Sequence, residues 1–231
     1  MKSADGMAGI KAIFKRYPRF YRALTYIFAG PPANTTAHAF AQRLPRGIRI
    51  LDIGSGPRRL RDDVTCIDVF KFDNVDIVAD AATLPFEDGS IDAIVCDNML
   101  EHVRDPKLVV SEIVRVLKQD GLAYIAVPFV IPYHSSPDDY YRWSEQGLRE
   151  LLKDFSEQEL KIQFGPTAAF TMVMSEWFGL LVSFNTKILY TIGLFAATII
   201  TTPLKVLDLI LVHYTRANIL PLTFYFIGRK K

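Results

Sequence analysis

The stretch Ile48-Arg49-Ile50-Leu51-Asp52-Ile53-Gly54-Ser55-Gly56-Pro57 is the one whose reading decides the fold. Alternating apolar residues run into an acid and then into a turn of small residues, the pattern of a buried strand that opens into a ligand-facing loop. Gly54 and Gly56 can take positive φ and let the backbone touch a bound molecule. Asp52, at the end of the strand, can accept hydrogen bonds from an ammonium or a hydroxyl held over that turn. Two ligand classes fit so far, a dinucleotide and S-adenosylmethionine. The dinucleotide fingerprint G-x-G-x-x-G asks for a third glycine where this chain has Arg59.

Downstream, Val64 to Val69 reads as a second strand, also ending near an acid, Asp68. Runs at 75–80 and 91–97 follow, ending in Asp80 and Asp97. Asp105-Pro106 opens a helix whose apolar residues recur at helical spacing and which Gly121 should close. Leu122 to Phe129 is a fifth strand, Ser144 caps a further helix, and strands are expected at 159–164 and 222–228. Strands alternating with helices predict an α/β, Rossmann-like, mostly parallel sheet with ligands at the carboxyl ends of its strands. Only Lys71 to Asn74 separate the second and third strands, fewer than a parallel crossover needs. The early side of the sheet must therefore be trimmed, or the third run must be a short extended segment. Acids at the ends of three successive runs, Asp52, Asp68 and Asp80, would repel one another at one edge, and a ligand bearing donors accounts for them better.

Taken in order, LDIGSGP at 51–57, CID at 66–68, VADAATLPFEDGSIDAIVCDNMLEHVRDP at 78–106 and EIVRVLKQDGLAYIAVPF at 112–129 resemble the class I S-adenosylmethionine-dependent methyltransferases, in particular their type 11-like domain. The resemblance covers roughly 47–165, with a return at the last strand. It implies a seven-stranded sheet and S-adenosyl-L-methionine as cofactor. It also implies that Gly54, Ser55 and Gly56 approach the methionine and ribose, with Asp52 near the amino group. Asp68 would hold the ribose hydroxyls, Asp80 and the Ala81 amide the adenine, and Cys96, Asp97 and Asn98 would line the methyl-donor end. The turn departs from the family pattern, reading G-S-G-P-R-R rather than G-x-G-x-G.

The segment 128–143 is dense in polar and aromatic residues and resembles an H-x-x-P-x-D-Y-x-R element of some of these enzymes, with His134, Asp139 and Arg142 in place. His134 could take a proton and Arg142 could hold an anionic group; a purely structural cluster fits the same residues. His102 reads as a packing residue at a helix start. The asparagine-proline-proline-aromatic signature of base amino-group methylators is absent at 97–100, which favours an oxygen or carbon acceptor.

The 231-residue chain carries a net charge of +2 and is half hydrophobic, a balance unlike that of a nucleic-acid binder. Its two cysteines, Cys66 and Cys96, are too few for a disulfide scaffold, and no metal site is expected. Four segments are predicted: an amphipathic helical extension over 1–46 with a basic helix at 8–28, a cofactor-binding core over 47–165, an apolar helical insertion over 166–221, and a final strand over 222–231. The insertion reads as a cap, a homodimer interface or a membrane element. With the basic helix it points to peripheral contact with the inner face of a membrane and to a small or lipid-linked acceptor; the expected location is otherwise cytoplasmic. A non-catalytic cofactor-binding or membrane-scaffold protein is the alternative.

Overall fold

The computed structural model describes Ile27, residues 29–135 and residues 137–231, so the basic helix expected at 8–28 lies almost wholly outside the described residues. The chain divides into two compact units. A sheet unit holds residues 35–128, 140–161 and 224–231; a helical unit holds 129–139 and 162–223 with the described residues up to Asn34.

Seven strands form one sheet: β1 (Ile50–Ile53), β2 (Val64–Asp68), β3 (Ile77–Val78), β4 (Ile91–Asp97), β5 (Leu117–Pro128), β6 (Phe155–Phe164) and β7 (Thr223–Lys230). Their order is β3-β2-β1-β4-β5-β7-β6, and β1 runs parallel to both β2 and β4. Every residue of β1 is buried, which is why its sequence is nearly all apolar: a central parallel strand is covered on both faces.

Three helices of the sheet unit begin where the sequence carries a capping side chain. Thr36 caps α1 (Ala37–Arg43), Asp105 caps α2 (Pro106–Val116) and Ser144 caps α3 (Glu145–Leu151), each accepting from a first-turn amide. Phe40 and Ala41 of α1 pack with Tyr124, Ala126 and Tyr225, and the buried Arg61 guanidinium donates to the Ala41 and Leu44 carbonyls at the end of that helix. Residues 35–46 thus belong with the sheet, and the division expected at 46/47 falls instead after Asn34.

The early side of the sheet is trimmed. No helix separates β1 from β2, and β3 is two residues long yet pairs parallel with β2, Ile67 against Ile77. Gly121 does not stop α2. The helix ends at Val116, and Leu117 already pairs with Ile91 in β5 across a register shift.

The helical unit contains α4 (Pro166–Ser183) and α5 (Lys187–Thr201), then a 3-10 turn over Thr202–Leu207, the short α6 (Asp208–Leu211) and a 3-10 turn over Ala217–Ile219. Asp208, a charge interrupting an apolar run in the sequence, is buried at the start of α4, where its carboxylate accepts from the Thr167 and Ala168 amides at 2.7 and 2.9 Å. It caps a helix from forty residues away, supplying the acceptor that Gly165 lacks a side chain to provide.

Candidate active site

In an open parallel sheet, ligands bind beyond the carboxyl ends of the strands at the point where the strand order reverses. Here that point lies between β1 and β4, so the turn after Ile53 and the residues after Cys96 stand side by side. The glycine turn is held without the helix that ordinarily follows it. Gly54 and Ser55 donate to the Ile67 carbonyl, and the Asn74 amide donates to the carbonyls of Gly56 and Arg58. Arg59 ties Val64, Asn74 and Asp76 together. Two side chains, Arg59 from the β1–β2 connection and Asn74 from the β2–β3 connection, thus do the bracing that a first helical turn would do.

Gly54 has φ +71°, and a Cβ there would lie 2.3 Å from Met99 Cγ. Gly54→Ala is therefore expected to cost about 2 kcal/mol or more, from the left-handed backbone and the displaced Met99 together. Denaturant unfolding would show it as a lowered midpoint. Gly56 also has positive φ, but a Cβ on it would meet nothing within 4 Å, so space stands open above the turn.

Asp52 is completely buried beneath this turn, and neither carboxylate oxygen has a hydrogen-bond partner among the described residues. The nearest cation, Arg58, is 3.8 Å away. Burial pushes the Asp52 carboxyl up to about 7, against the pull of Arg58 and with the push of Asp97 and Asp68. Arg58 itself reaches across to Asp97 at 2.6 Å. It occupies the third-glycine place of G-x-G-x-G, and it is the residue of this site that the sequence reading left without a role.

The remaining expected residues take distinct places. Asp68 accepts from the Gly56 and Phe70 amides at 2.9 and 2.8 Å, which holds its carboxylate at the rim of the turn. Asp80 is exposed and closes an Asx turn on Ala82, with Ala81 half-buried between them. Asn98 follows β4 at φ +53°, a left-handed conformation a non-glycine residue adopts only when its surroundings impose it, and its amide donates to Asp97. Cys96 points into the sheet with no exposed surface, and burial pushes its thiol well above its usual range; only its backbone stands at the strand end. The block Leu84-Pro85-Phe86 is clamped by Glu112 and Arg115 of α2, so this part of the resemblance is bracing rather than ligand contact.

Residues 140–143 are fastened beside the end of β4. Tyr140 donates its amide to the Glu101 carbonyl at 2.7 Å, Tyr141 donates its hydroxyl to the Arg104 carbonyl, and Trp143 donates its amide to Pro128. Arg142 donates to the Tyr141 carbonyl at 2.7 Å. His134 belongs to the helical unit, where its amide donates to Asp139 at 2.8 Å. Its Nδ1 lies 3.2 Å from the Pro132 carbonyl and 3.5 Å from Asp139. A hydrogen bond to Pro132 requires the proton on Nδ1, which leaves the imidazole lone pair on Nε2.

The donor set fits S-adenosylmethionine. A buried carboxylate lacking donors suits the ammonium of the methionine part, and the open glycine turn leaves room for it. The chain is similar to several known proteins. The family model Methyltransf_11, described as a methyltransferase domain, matches residues 51–125. A protein of Mycobacterium sp. (strain JLS) named uncharacterized methyltransferase is 30% identical over 125 residues, 47% of this chain and 49% of that protein. The uncharacterized methyltransferase YcgJ of Bacillus subtilis is 41% identical over 59 residues, 26% of this chain and 21% of that protein. The chain thus spans about half the length, or less, of the curated relatives it matches. Among solved structures, phosphoethanolamine N-methyltransferase 2 of Haemonchus contortus in complex with S-adenosyl-L-methionine superposes with a TM-score of 0.53 at 19% identity, over 95% of this chain and 59% of that one. The cyclase SpnF superposes with a TM-score of 0.52 at 18% identity, over 96% and 94%. Residues 51–125 thus match a methyltransferase domain, and the strand order with the site at its switch point is that of the class I S-adenosylmethionine-dependent methyltransferase fold.

Proposed function

We propose that this protein transfers a methyl group from S-adenosylmethionine to an oxygen or carbon of a small, lipid-linked acceptor. The observation that carries the cofactor part is Asp52: a fully buried carboxylate without hydrogen-bond donors is expensive to keep unless a ligand supplies them. Asp52 and Asp97 hold the ammonium, Asp68 the ribose hydroxyls, Asp80 and the Ala81 amide the adenine. Arg58 gives up its hold on Asp97 to take the α-carboxylate. The cofactor supplies an activated sulfonium methyl, so the protein's work is to aim the acceptor and exclude water. Asn98 shapes the donor end, Arg142 orients an anionic acceptor group, and His134 takes the acceptor's proton at Nε2 with Asp139 steadying the ring.

The acceptor's lipid character rests on the helical unit. Most of the large exposed hydrophobic side chains among the described residues lie between Phe170 and Leu220. An apolar groove of about 450 Å³ runs between Phe129–Pro132 and the Val173, Trp177 and Leu180 side chains of α4. The reading places the enzyme at the inner, cytoplasmic face of a membrane.

His134→Ala is expected to slow transfer about 10²-fold or more while changing S-adenosylhomocysteine affinity little, as removal of a general base should. Unchanged turnover removes His134 from the chemistry. The whole reading is tested by calorimetry with S-adenosylhomocysteine, followed by product detection in a membrane extract supplied with methyl-labelled donor. Binding without any S-adenosylhomocysteine formation supports the second reading, a non-catalytic cofactor-binding protein. What favours that reading is Arg58, which lies across the space the cofactor's amino-acid end would use.

A further inference from the structure

We propose that the hairpin of α4 and α5 inserts into the hydrocarbon of a lipid bilayer, rather than resting on its surface. Its packing is inside out for a water-soluble protein. The buried positions of α4 step by about four residues through Thr167, Thr171, Ser175, Gly179 and Ser183, and those of α5 are Gly193, Leu194, Ala197 and Thr198. Leu194 apart, the side chains that face inward at these positions are small or carry a hydroxyl. The large apolar ones face out: Leu180 is 65% exposed, Phe184 84%, Ile188 69% and Ile200 75%. In water the opposite arrangement is stable, because burying large apolar groups is what drives folding. In lipid the drive between helices is close backbone packing, and small residues supply it.

The two interfacial glycines permit that approach. A Cβ on Gly193 would lie 2.3 Å from Val182 Cγ2 and 3.3 Å from the Gly179 Cα, and one on Gly179 would press on the Tyr190 ring at 3.2 Å. The polar groups of the hairpin need no water. Thr171, Ser175 and Ser183 return their hydroxyls to carbonyls of α4, and Thr198 and Thr201 to carbonyls of α5, as side chains do in a medium without water. Glu176, the single charged residue within α4, is joined to the Tyr190 hydroxyl of the facing helix. At about 1.5 Å per residue the 18 residues of α4 span about 27 Å, close to the roughly 30 Å of a hydrocarbon core. The helical stretch Lys187–Leu211 is long and apolar enough to cross a membrane. Charges stand at the ends, with Lys187 near the turn and Lys205 and Asp208 at the base.

The occupant is lipid rather than a second protein because the outward half of each helix is apolar, so the medium around the hairpin must be apolar on every side. A single partner would cover one side. This inference does not depend on methyl transfer; it extends the membrane reading from surface contact to insertion.

The full chain, expressed and fractionated, is expected to stay with membranes through washes in high salt and then alkaline carbonate, and to be released by detergent. Release by salt or carbonate overturns insertion and leaves surface contact standing; recovery in the soluble fraction without detergent overturns both. Detergent-purified protein reconstituted into vesicles of phosphatidylcholine and phosphatidylglycerol gives a second measurement. Trp177 fluorescence should fall by about half with acyl-brominated lipids, and Trp177→Phe should abolish that quenching. Emission unaffected by the bromine label refutes insertion. Calorimetry with S-adenosylhomocysteine on the same protein reports separately whether the cofactor site is intact.

Discussion

Asp52→Asn is expected to weaken S-adenosylhomocysteine binding by about tenfold to a hundredfold, the range for losing one charged hydrogen bond, while raising the protein's melting temperature. Both effects follow from a carboxyl that is wholly buried and pushed up to about 7. The ionised form is the one that receives an ammonium. With Arg58, Asp97 and Asp68 as the charged groups that act on it, the free protein ionises Asp52 only as pH rises through about 7. Wild-type affinity should accordingly be about tenfold weaker at about pH 6 than at about pH 8, and Asp52→Asn should be flat across that window. Calorimetry at the two pH values checks it; equal pH dependence in the two proteins would falsify the assignment.

The stability effect has the opposite sign. An unfolded aspartate titrates near 3.8, so between about 4 and 7 the folded protein holds a proton that the unfolded chain gives up. Stability carried by this group is fullest below about 4 and declines as pH rises through that window. The decline is a few kcal/mol by order of magnitude, and asparagine removes it. Thermal unfolding should show a smaller difference between the two proteins at about pH 5 than at about pH 8. A residue that gains affinity by holding an unfavourable charge in the empty site is a functional residue, not a structural one.

Arg58→Gly, which restores the family's third glycine, is the second large effect. Loss of a guanidinium that holds the α-carboxylate should weaken S-adenosylhomocysteine about tenfold to a hundredfold. It should change the affinity for 5′-methylthioadenosine, which lacks the amino-acid end, by less than about threefold. Arg58→Lys should fall between, since an ammonium keeps the charge without the planar fork. Tighter S-adenosylhomocysteine binding by Arg58→Gly would mean that Arg58 only competes with the ligand's ammonium for Asp52 and Asp97, and would strengthen the non-catalytic reading. Arg58 touches no sheet hydrogen bond, so neither substitution should alter the strand order that positions the turn.

How much of this was legible beforehand differs from element to element. Strand β1 was legible because a central parallel strand must be apolar on both faces and must end where the ligand begins. The helix starts at Asp105 and Ser144 were legible because these residues cap through their own side chains, within three residues. The end of α2 was not: Gly121 resembles a stop, but pairing of Leu117 with Ile91 claims the chain four residues earlier. The short crossover from β2 to β3 was anticipated as a strain on the fold; its solution, Arg59 and Asn74 standing in for a helix, lies in contacts between residues up to 18 apart.

By itself, then, the sequence determined the α/β sheet, the glycine turn at its switch point and the set of acids around it, since these depend on periodicity and on residues adjacent in the chain. Tertiary structure alone decided what those residues do. Asp52 became a buried carboxylate without donors, and Arg58 reached across to Asp97. Asp208, which reads as a break in an apolar run, became the cap of a helix forty residues away. The apolar insertion likewise disclosed its character only when folded: composition says that it is hydrophobic, but only the packed hairpin shows that its small residues face inward and its large ones face out. Burial and charge partners are properties of neighbours in space, and the chain order does not contain them.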